Sequence, residues 1–569
     1  MKFLDWIVLS IVLILVIVYG VWKGRGQNDI KGYFLSNQSL PWYVVLLSIM
    51  GTQASAITFL SAPGQAYTDG MRFVQYYFGL PVAMVILSVT FVPVFRKLKV
   101  FTAYEFLEQR FDVKTRTLTS ILFLISRGLS TGISILAPSI ILASIFGWNL
   151  YLTNIFMGGL LIIYTVAGGT KAVAYTQTQQ FIVIFGGMFV AGYMIVRGLP
   201  SGIGLTEALH LSGKAGKLNV VTTGLTATGF DWKDRYNIWS GLIGGFFLAL
   251  SYFGTDQSQV GRYITAKSVS ESRIGLLMNG LVKVPMQFLI LLIGTLLFTF
   301  FQFEKPPVFF KQSLTVQLST LPEGRKIIAS YDSLVTAGQQ MILSGRDDFA
   351  MRQKLNDNEK SKTSLRKKAE MLLKETDSAT DTNDTNYIFL YFVVNYLPSG
   401  LVGLLIAVIF LSSWGSIAAA LNSLASTSMI DIHCRFFRQN LNEKQKLAAS
   451  QSWTLGWGIF CIIVAQLAGN MGSLIEAVNV LGSLFYGTIL GIFLVAFYLK
   501  RIGGTATFWG AVLSELLVIT VYKRDLVSFL WLNVIGCMGV IVIALVISYF
   551  DKSSQKNTNN GEIENTHAD

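Results

Sequence analysis

With three cysteines, three histidines and few charges, this 569-residue sequence is poorly equipped for most active-site chemistry. Cys434, Cys461 and Cys537 form no CxxC or metal-type spacing, and two of them fall in apolar runs, so neither a disulfide framework nor a metal site is expected. His210, His433 and His567 belong to no HExxH-like array. An integral-membrane enzyme would therefore lack its nucleophile, base and metal, and no cofactor is expected. Only 14% of residues are charged, against 52% hydrophobic and a mean hydropathy of +0.53, which places the chain among polytopic membrane proteins, with the lipid bilayer as its solvent. A net charge of +13 would point to nucleic acid in a soluble protein. Here the basic residues lie mostly in short loops between apolar spans, where they set orientation, and nucleic acid is not an expected partner.

What the sequence does have is two interrupted spans. Pro41–Tyr67 is long enough to cross a bilayer but is broken halfway by Gly51-Thr52-Gln53-Ala54-Ser55. Unsatisfied backbone at membrane depth is tolerated only where it is buried in protein or lines a cavity, and an unwound segment offers carbonyls to a cation and N–H groups to an anion. The alternative is an intact helix whose hydroxyls bond back to their own carbonyls. A second polar stretch, Ser251-Tyr252-Phe253-Gly254-Thr255-Asp256-Gln257, closes a span five crossings later. Paired irregular helices heading successive five-helix units are the trace of an inverted repeat with its site at the midplane. A loop that merely begins early would read the same way.

Charges around the apolar runs order the chain. Residues 6–22 follow Asp5 and precede Lys23, Arg25 and Lys31, the pattern of a retained first helix with its N-terminus outside. Spans follow at about 73–95, 118–147, 150–167, 178–197, 236–255 and 275–302. Basic loops at Arg96, Lys97 and Lys99, with Arg110, Lys114 and Arg116 beyond them, at Lys171 and at Arg262, Lys267 and Arg273 are cytoplasmic. Residues 303–386 form an external polar insert with a helix around Asp348–Glu375, for which a cap, a partner surface and a passive insertion are the alternatives and the passive one is preferred. An amphipathic lead-in at Tyr387–Tyr396 precedes spans at about 397–430, 453–469, 473–498, 503–522 and 527–549. The total is about thirteen, with the C-terminus cytoplasmic. The expected units are a first helix and loop (1–40), a first repeat (41–200), the start of a second (201–302), the insert (303–386), the rest of the second repeat (387–498), two peripheral helices (499–550) and a disordered tail (551–569).

The ninth span is unusually rich in hydroxyls: Ser412, Ser413, Ser416, Ser423, Ser426, Thr427 and Ser428. Hydroxyls and freed carbonyls are hard oxygen ligands suited to a weakly held alkali cation, although small residues also let helices pack closely. Arg127 and Lys283 are charges well inside apolar spans, where burying an unpaired cation costs at least ~2.5–3.5 kcal/mol. Each is expected to face a cavity, a partner or carbonyls. Lys283 reads equally as structural, and Arg127 has a rival pairing with Glu476.

Four segments, SIMGTQASAITFLSAPGQAY, YTVAGGTKAVAYTQTQQF, SYFGTDQSQVGRYITAKSVSES and LNSLASTSMIDIH, together resemble the sodium/solute symporter family, in order and on the right helices over roughly residues 1–550. The resemblance implies an all-α protein of about thirteen transmembrane helices with a leucine-transporter-like 5+5 inverted-repeat core, moving a small solute inward with Na+. It implies a sodium site from the carbonyls of Gly51, Ala54 and Ser412 and the hydroxyl of Ser416. Gly415, where the family often has a second hydroxyl, can offer only backbone. Gln177, Ala418 and Ala419 stand where members with a second sodium site have an Asp and hydroxyls, implying one sodium. The implied solute positions are Gln53, Ser55, Thr58, Gln75, Tyr77, Ser130, Lys283 and Asn479, with Tyr252 as inner gate. Arg127, read from its own burial, adds an anion contact.

The resulting expectation is a multi-pass inner (plasma) membrane symporter that uses Na+ to import a small polar solute, a carboxylate or a sugar, by alternating access. A transporter-like sensor and a membrane enzyme are the rivals.

Overall fold

The computed structural model describes residues 1–24, 30–98, 100–343, 349–378, 380–437, 441–468 and 472–550. Arg25, Lys99, Asp348 and the 551–569 tail lie outside the described residues. Among those described, 10 helices are long and apolar enough to cross a membrane, and three shorter apolar ones, Trp42–Gln53, Leu150–Val166 and Ser240–Thr255, lie between them. The only strands among the described residues are a two-stranded hairpin, Leu225–Thr226 with Gly229–Phe230, between the sixth and seventh spans.

The first interruption is narrower than its sequence. Trp42–Gln53 is helical, Ala54 and Ser55 leave helical geometry at ψ 77° and 175°, and Ala56–Asp69 resumes the helix. Ala54 N–H donates to Met50 O at 2.7 Å, so the first half ends on a closed turn. Gly51 lies inside that half; a Cβ there would meet the Gln177 side chain at 3.1 Å, so glycine lets the two helices touch. The second interruption is a single residue. Gly245–Thr255 stops at extended Asp256, whose carboxylate then caps Gln257–Tyr263 by accepting from Ser258 N–H at 2.8 Å. The Thr255 carbonyl left at the break accepts from Tyr104 Oη at 3.0 Å.

The fifth and sixth spans carry one continuous helical assignment, Leu150–Arg197, yet Tyr164 Oη and Thr176 Oγ1 are 3.0 Å apart. Twelve residues of straight helix would separate them by ~18 Å. The chain therefore folds back on itself between them. The ninth span, Leu401–Thr427, is buried from Leu405 through Thr427 and continues as a π-helical turn, Ser428–Phe437. Near that end Asp431 accepts from Arg116 at 2.5 Å and from Thr102 at 2.9 Å, while Glu108 bridges Arg116 and Arg435.

The insert is more helical than the one helix expected around Asp348–Glu375. Gln312–Thr320, Pro322–Leu343 and Phe349–Thr376 are three helices sharing a small apolar core of Phe309, Leu318, Tyr331 and Leu373. Its return segment docks on the second half of the first interrupted helix, Ala56–Asp69. A Cβ on Gly64 would lie 1.9 Å from Thr385 O, and the Tyr67 and Phe310 rings meet edge-on at 5.5 Å. Asp384, paired with Arg366, also accepts from Phe310 N–H at 2.6 Å.

Candidate functional site

Both interruptions open on one buried cavity of about 100 Å³. From the first come Thr52, Gln53, Ser55 and Thr58; from the second, Tyr252; from the ninth span, Ser416, Ile417 and Ala420. The fourth span (Val113–Phe146) adds Arg127, Thr131 and Ser134, and the eleventh (Leu474–Tyr498) adds Asn479 and Tyr486. This volume lies below the ~300 Å³ at which small-molecule pockets usually start.

One wall is neutral and rich in oxygen. Ser416 Oγ donates to Ser412 O at 2.9 Å, and Ser412 Oγ donates to Ile409 O at 2.9 Å. A hydroxyl that donates backward along its helix keeps its lone pairs free for a cation. Gly51 and Ala54 are buried on the facing broken helix, which ends at Gln53, so carbonyls of its last turn have no helical successor. Gln177 joins these elements: its amide donates to Gly415 O at 3.0 Å and to Thr52 Oγ1 at 3.3 Å, and accepts from Ser48 at 2.7 Å. The Gly415 carbonyl is thus occupied by Gln177. A Cβ there would meet Gln180 Oε1 at 2.4 Å and Gln177 Cγ at 3.0 Å, which accounts for the lack of a side chain at this position.

The other wall carries charge. Arg127 Nη2 pairs with Asp256 and lies 3.3 Å from Tyr486 Oη, which itself donates to Asp256 Oδ2 at 3.0 Å. The guanidinium carbon sits 5.3 Å from the Tyr252 ring centroid, and the Tyr252 and Tyr486 rings are 5.8 Å apart. Tyr252 Oη accepts from Gln259 at 2.7 Å. Burying either charge alone would cost several kcal/mol, so the pair makes an arginine at membrane depth tolerable.

Two readings of Arg127 are corrected by this. Its charge is met by Asp256 and does not wait for a solute to neutralise it; and Glu476 is not its partner, because Glu476 pairs with Arg235 at 2.5 Å. Its Nε, buried and without a hydrogen-bond partner, remains available.

Of the positions expected to contact solute, Gln53, Ser55, Thr58, Tyr77, Arg127, Tyr252 and Asn479 line the cavity, and Gln75, Ser130 and Lys283 do not. Gln75 is fully buried and spends its amide on Arg72 O, Thr222 and Tyr236 O, pinning the loop after the sixth span. Ser130 bonds back to Ser126 O at 2.8 Å, one position off the face that presents Thr131 and Ser134. Lys283 is wholly buried, its Nζ 5.8 Å from the centroid of the Tyr77 ring and without a hydrogen-bond partner. Sequence reasoning missed Asp256 and Tyr486. An acid inside an apolar segment, needing a buried cation as partner, was the signal for Asp256; Tyr486 carried none. Asn479 accepts from Tyr76 Oη at 3.2 Å, and Tyr76 lines the cavity with Tyr77, Tyr252 and Tyr486.

The sodium:solute symporter family model matches residues 33–311 and 371–514. The chain is 26% identical over 550 residues to the sodium/sialic acid symporter SiaT of Proteus mirabilis, covering 96% of this chain and 94% of that one. It is 25% identical to the sodium-dependent multivitamin transporter of Oryctolagus cuniculus, over 87% of this chain and 66% of that one. A solved structure of a Na+-coupled sialic acid symporter, outward-open and substrate-bound, superposes with a TM-score of 0.75 at 24% identity, covering 97% of this chain and 98% of that one. The fold is therefore the leucine-transporter-like arrangement that two interrupted helices, five spans apart, imply. By the extent of the family match and of these likenesses, the chain belongs to the sodium:solute symporter family and is a sodium-coupled solute symporter of the membrane, not an enzyme.

Proposed function

We propose that the chain imports a small carboxylate-bearing solute with one Na+, across the inner (plasma) membrane, with its N-terminus outside and C-terminus in the cytoplasm. The observation that carries this reading is Arg127 on the cavity wall, held on one edge by Asp256 with Nε unpartnered. A guanidinium can serve two carboxylates at once, and its planar fork fits one bidentately in a way that lysine does not. Relatives named for sialic acid and for monocarboxylates support an acidic solute. Na+ would sit between Gly51 O, Ala54 O, Ser412 O and the Ser416 hydroxyl. Gln53, Ser55, Thr58 and Asn479 would bond the uncharged part of the solute, and Tyr252 would close the inner side.

Uptake into proteoliposomes under an inward Na+ gradient tests this, with N-acetylneuraminate as tracer and lactate and glucose as competitors. Carboxylates should compete and glucose should not. Arg127→Lys, at normal expression, should lose most of its solute affinity. Uptake driven equally by K+, or a cognate solute without charge, contradicts the proposal.

A further inference from the structure

Tyr252 stands on the charged wall with one hydrogen-bonding capacity unspent. A phenol has lone pairs that accept and a single proton that it donates. Tyr252 Oη accepts from Gln259 Nε2 at 2.7 Å, and the neighbouring Arg127 guanidinium, its carbon 5.3 Å from the ring centroid, can only donate. Tyr486, whose ring is 5.8 Å away, spends its own proton on Asp256 Oδ2. Among the described residues no group accepts the Tyr252 proton. A phenol on a cavity wall whose oxygen is already engaged by a donor offers its O–H to what the cavity holds.

Gln259 sets that polarity. It belongs to Gln257–Tyr263, the half-helix beyond Asp256, whereas Tyr252 belongs to Gly245–Thr255, so their bond crosses the second interruption. Gln259 is wholly buried and does not itself line the cavity. Its Oε1 is buried without a partner, a cost that leucine or methionine would avoid and that the filling of space does not account for. The amide N–H is the part of this side chain that the site uses.

We propose that Gln259 is a positioning residue for solute recognition. By donating to Tyr252 Oη it fixes the phenol as a donor into the central cavity, where the Tyr252 O–H and the unpartnered Nε of Arg127 take the two oxygens of one carboxylate. The inference rests on the reading of the solute as a carboxylate. It makes preference for the acid depend on a residue that never touches the solute.

Uptake of radiolabelled N-acetylneuraminate into proteoliposomes tests it, with the analogue in which a hydroxymethyl group replaces the carboxylate as competitor. A hydrogen bond to a charged acceptor is worth roughly twice a neutral one. Gln259→Leu should therefore raise the KM of the acid roughly tenfold and the inhibition constant of the alcohol less than about threefold. Gln259→Met, closer to glutamine in length, should do the same. Tyr252→Phe should lose the same preference, and adding Gln259→Leu to it should change neither constant further, because the amide acts only through the phenol. A mere brace between the half-helices predicts otherwise: both constants rise together, and Gln259→Leu still weakens uptake in the Tyr252→Phe chain. Either of those results, or an unchanged preference in both Gln259 variants, would overturn the assignment and leave the proposed function intact. A wild-type protein that takes the acid no better than the alcohol would overturn both.

Discussion

The two interruptions of the helical core are alike in position and opposite in chemistry. At Ala54–Ser55 the break is neutral: carbonyls, serines and threonines, organised by Gln177. At Asp256 the break is charged, and its charge is cancelled within the protein by direct contact with Arg127 on the same wall. A transporter that must hold a bare cation and then release it needs hard oxygens without a full negative charge. One that must recognise an anion needs a cation whose field is balanced when the site is empty. On this reading the first break holds the ion and the second reads the solute, and both face one small cavity.

The largest effect expected from breaking this contrast is at the charged break. Asp256→Asn leaves Arg127 buried without its counter-ion and should destabilise the protein by about 3–5 kcal/mol, read as a large fall in Tm in detergent. The double variant Arg127→Met with Asp256→Leu should recover much of that stability but not transport. If Asp256→Asn alone keeps normal Tm and uptake, the pair is not the structural centre of that wall.

At the neutral break, Ser416→Ala removes the hydroxyl proposed as a sodium ligand. A lost ligand of about 1.5 kcal/mol predicts a roughly tenfold rise in the sodium concentration for half-maximal uptake, with expression and Tm little changed. An unchanged half-saturation removes Ser416 from the site. A smaller effect is expected at Gly415. Gly415→Ala places a methyl against Gln177 and Gln180, and overpacking of this kind costs about 1–3 kcal/mol, less where a glutamine end can move aside. The Tm shift measures it, and Gln180→Ala in the same chain should relieve it.

These contrasts also show which parts of the structure could be read from sequence. Both interruptions were legible because a polar, glycine-containing stretch inside an apolar span is costly in hydrocarbon unless it lines a cavity or packs against protein. Their extents were not: two residues at the first break and one at the second, because Gly51 and Gly254 both lie within helix. The Arg127–Asp256 pair spans 129 residues, and no local pattern encodes which buried acid meets which buried base. Ser130 missed the cavity by one residue, since a shift of one position turns a helical side chain by ~100° and the span is apolar on several faces. Gln75 matched a solute position in sequence but is consumed by a loop whose conformation the sequence does not reveal. In the insert the charged helix at Phe349–Thr376 was legible, but Gln312–Thr320 and Pro322–Leu343 were not, because the core the three share is only a few side chains wide.

The account's central claim is one Na+ at the neutral break for each carboxylate read at the charged break, with Gln177, Ala418 and Ala419 offering no charge to a second ion. One sodium with one monoanion moves no net charge. The most direct measurement is N-acetylneuraminate uptake into proteoliposomes at a fixed inward Na+ gradient, with the membrane potential stepped by valinomycin and K+. The account predicts initial rates independent of potential. Uptake accelerated by an inside-negative potential, with a reversal potential that fits two sodium ions per solute, would contradict it.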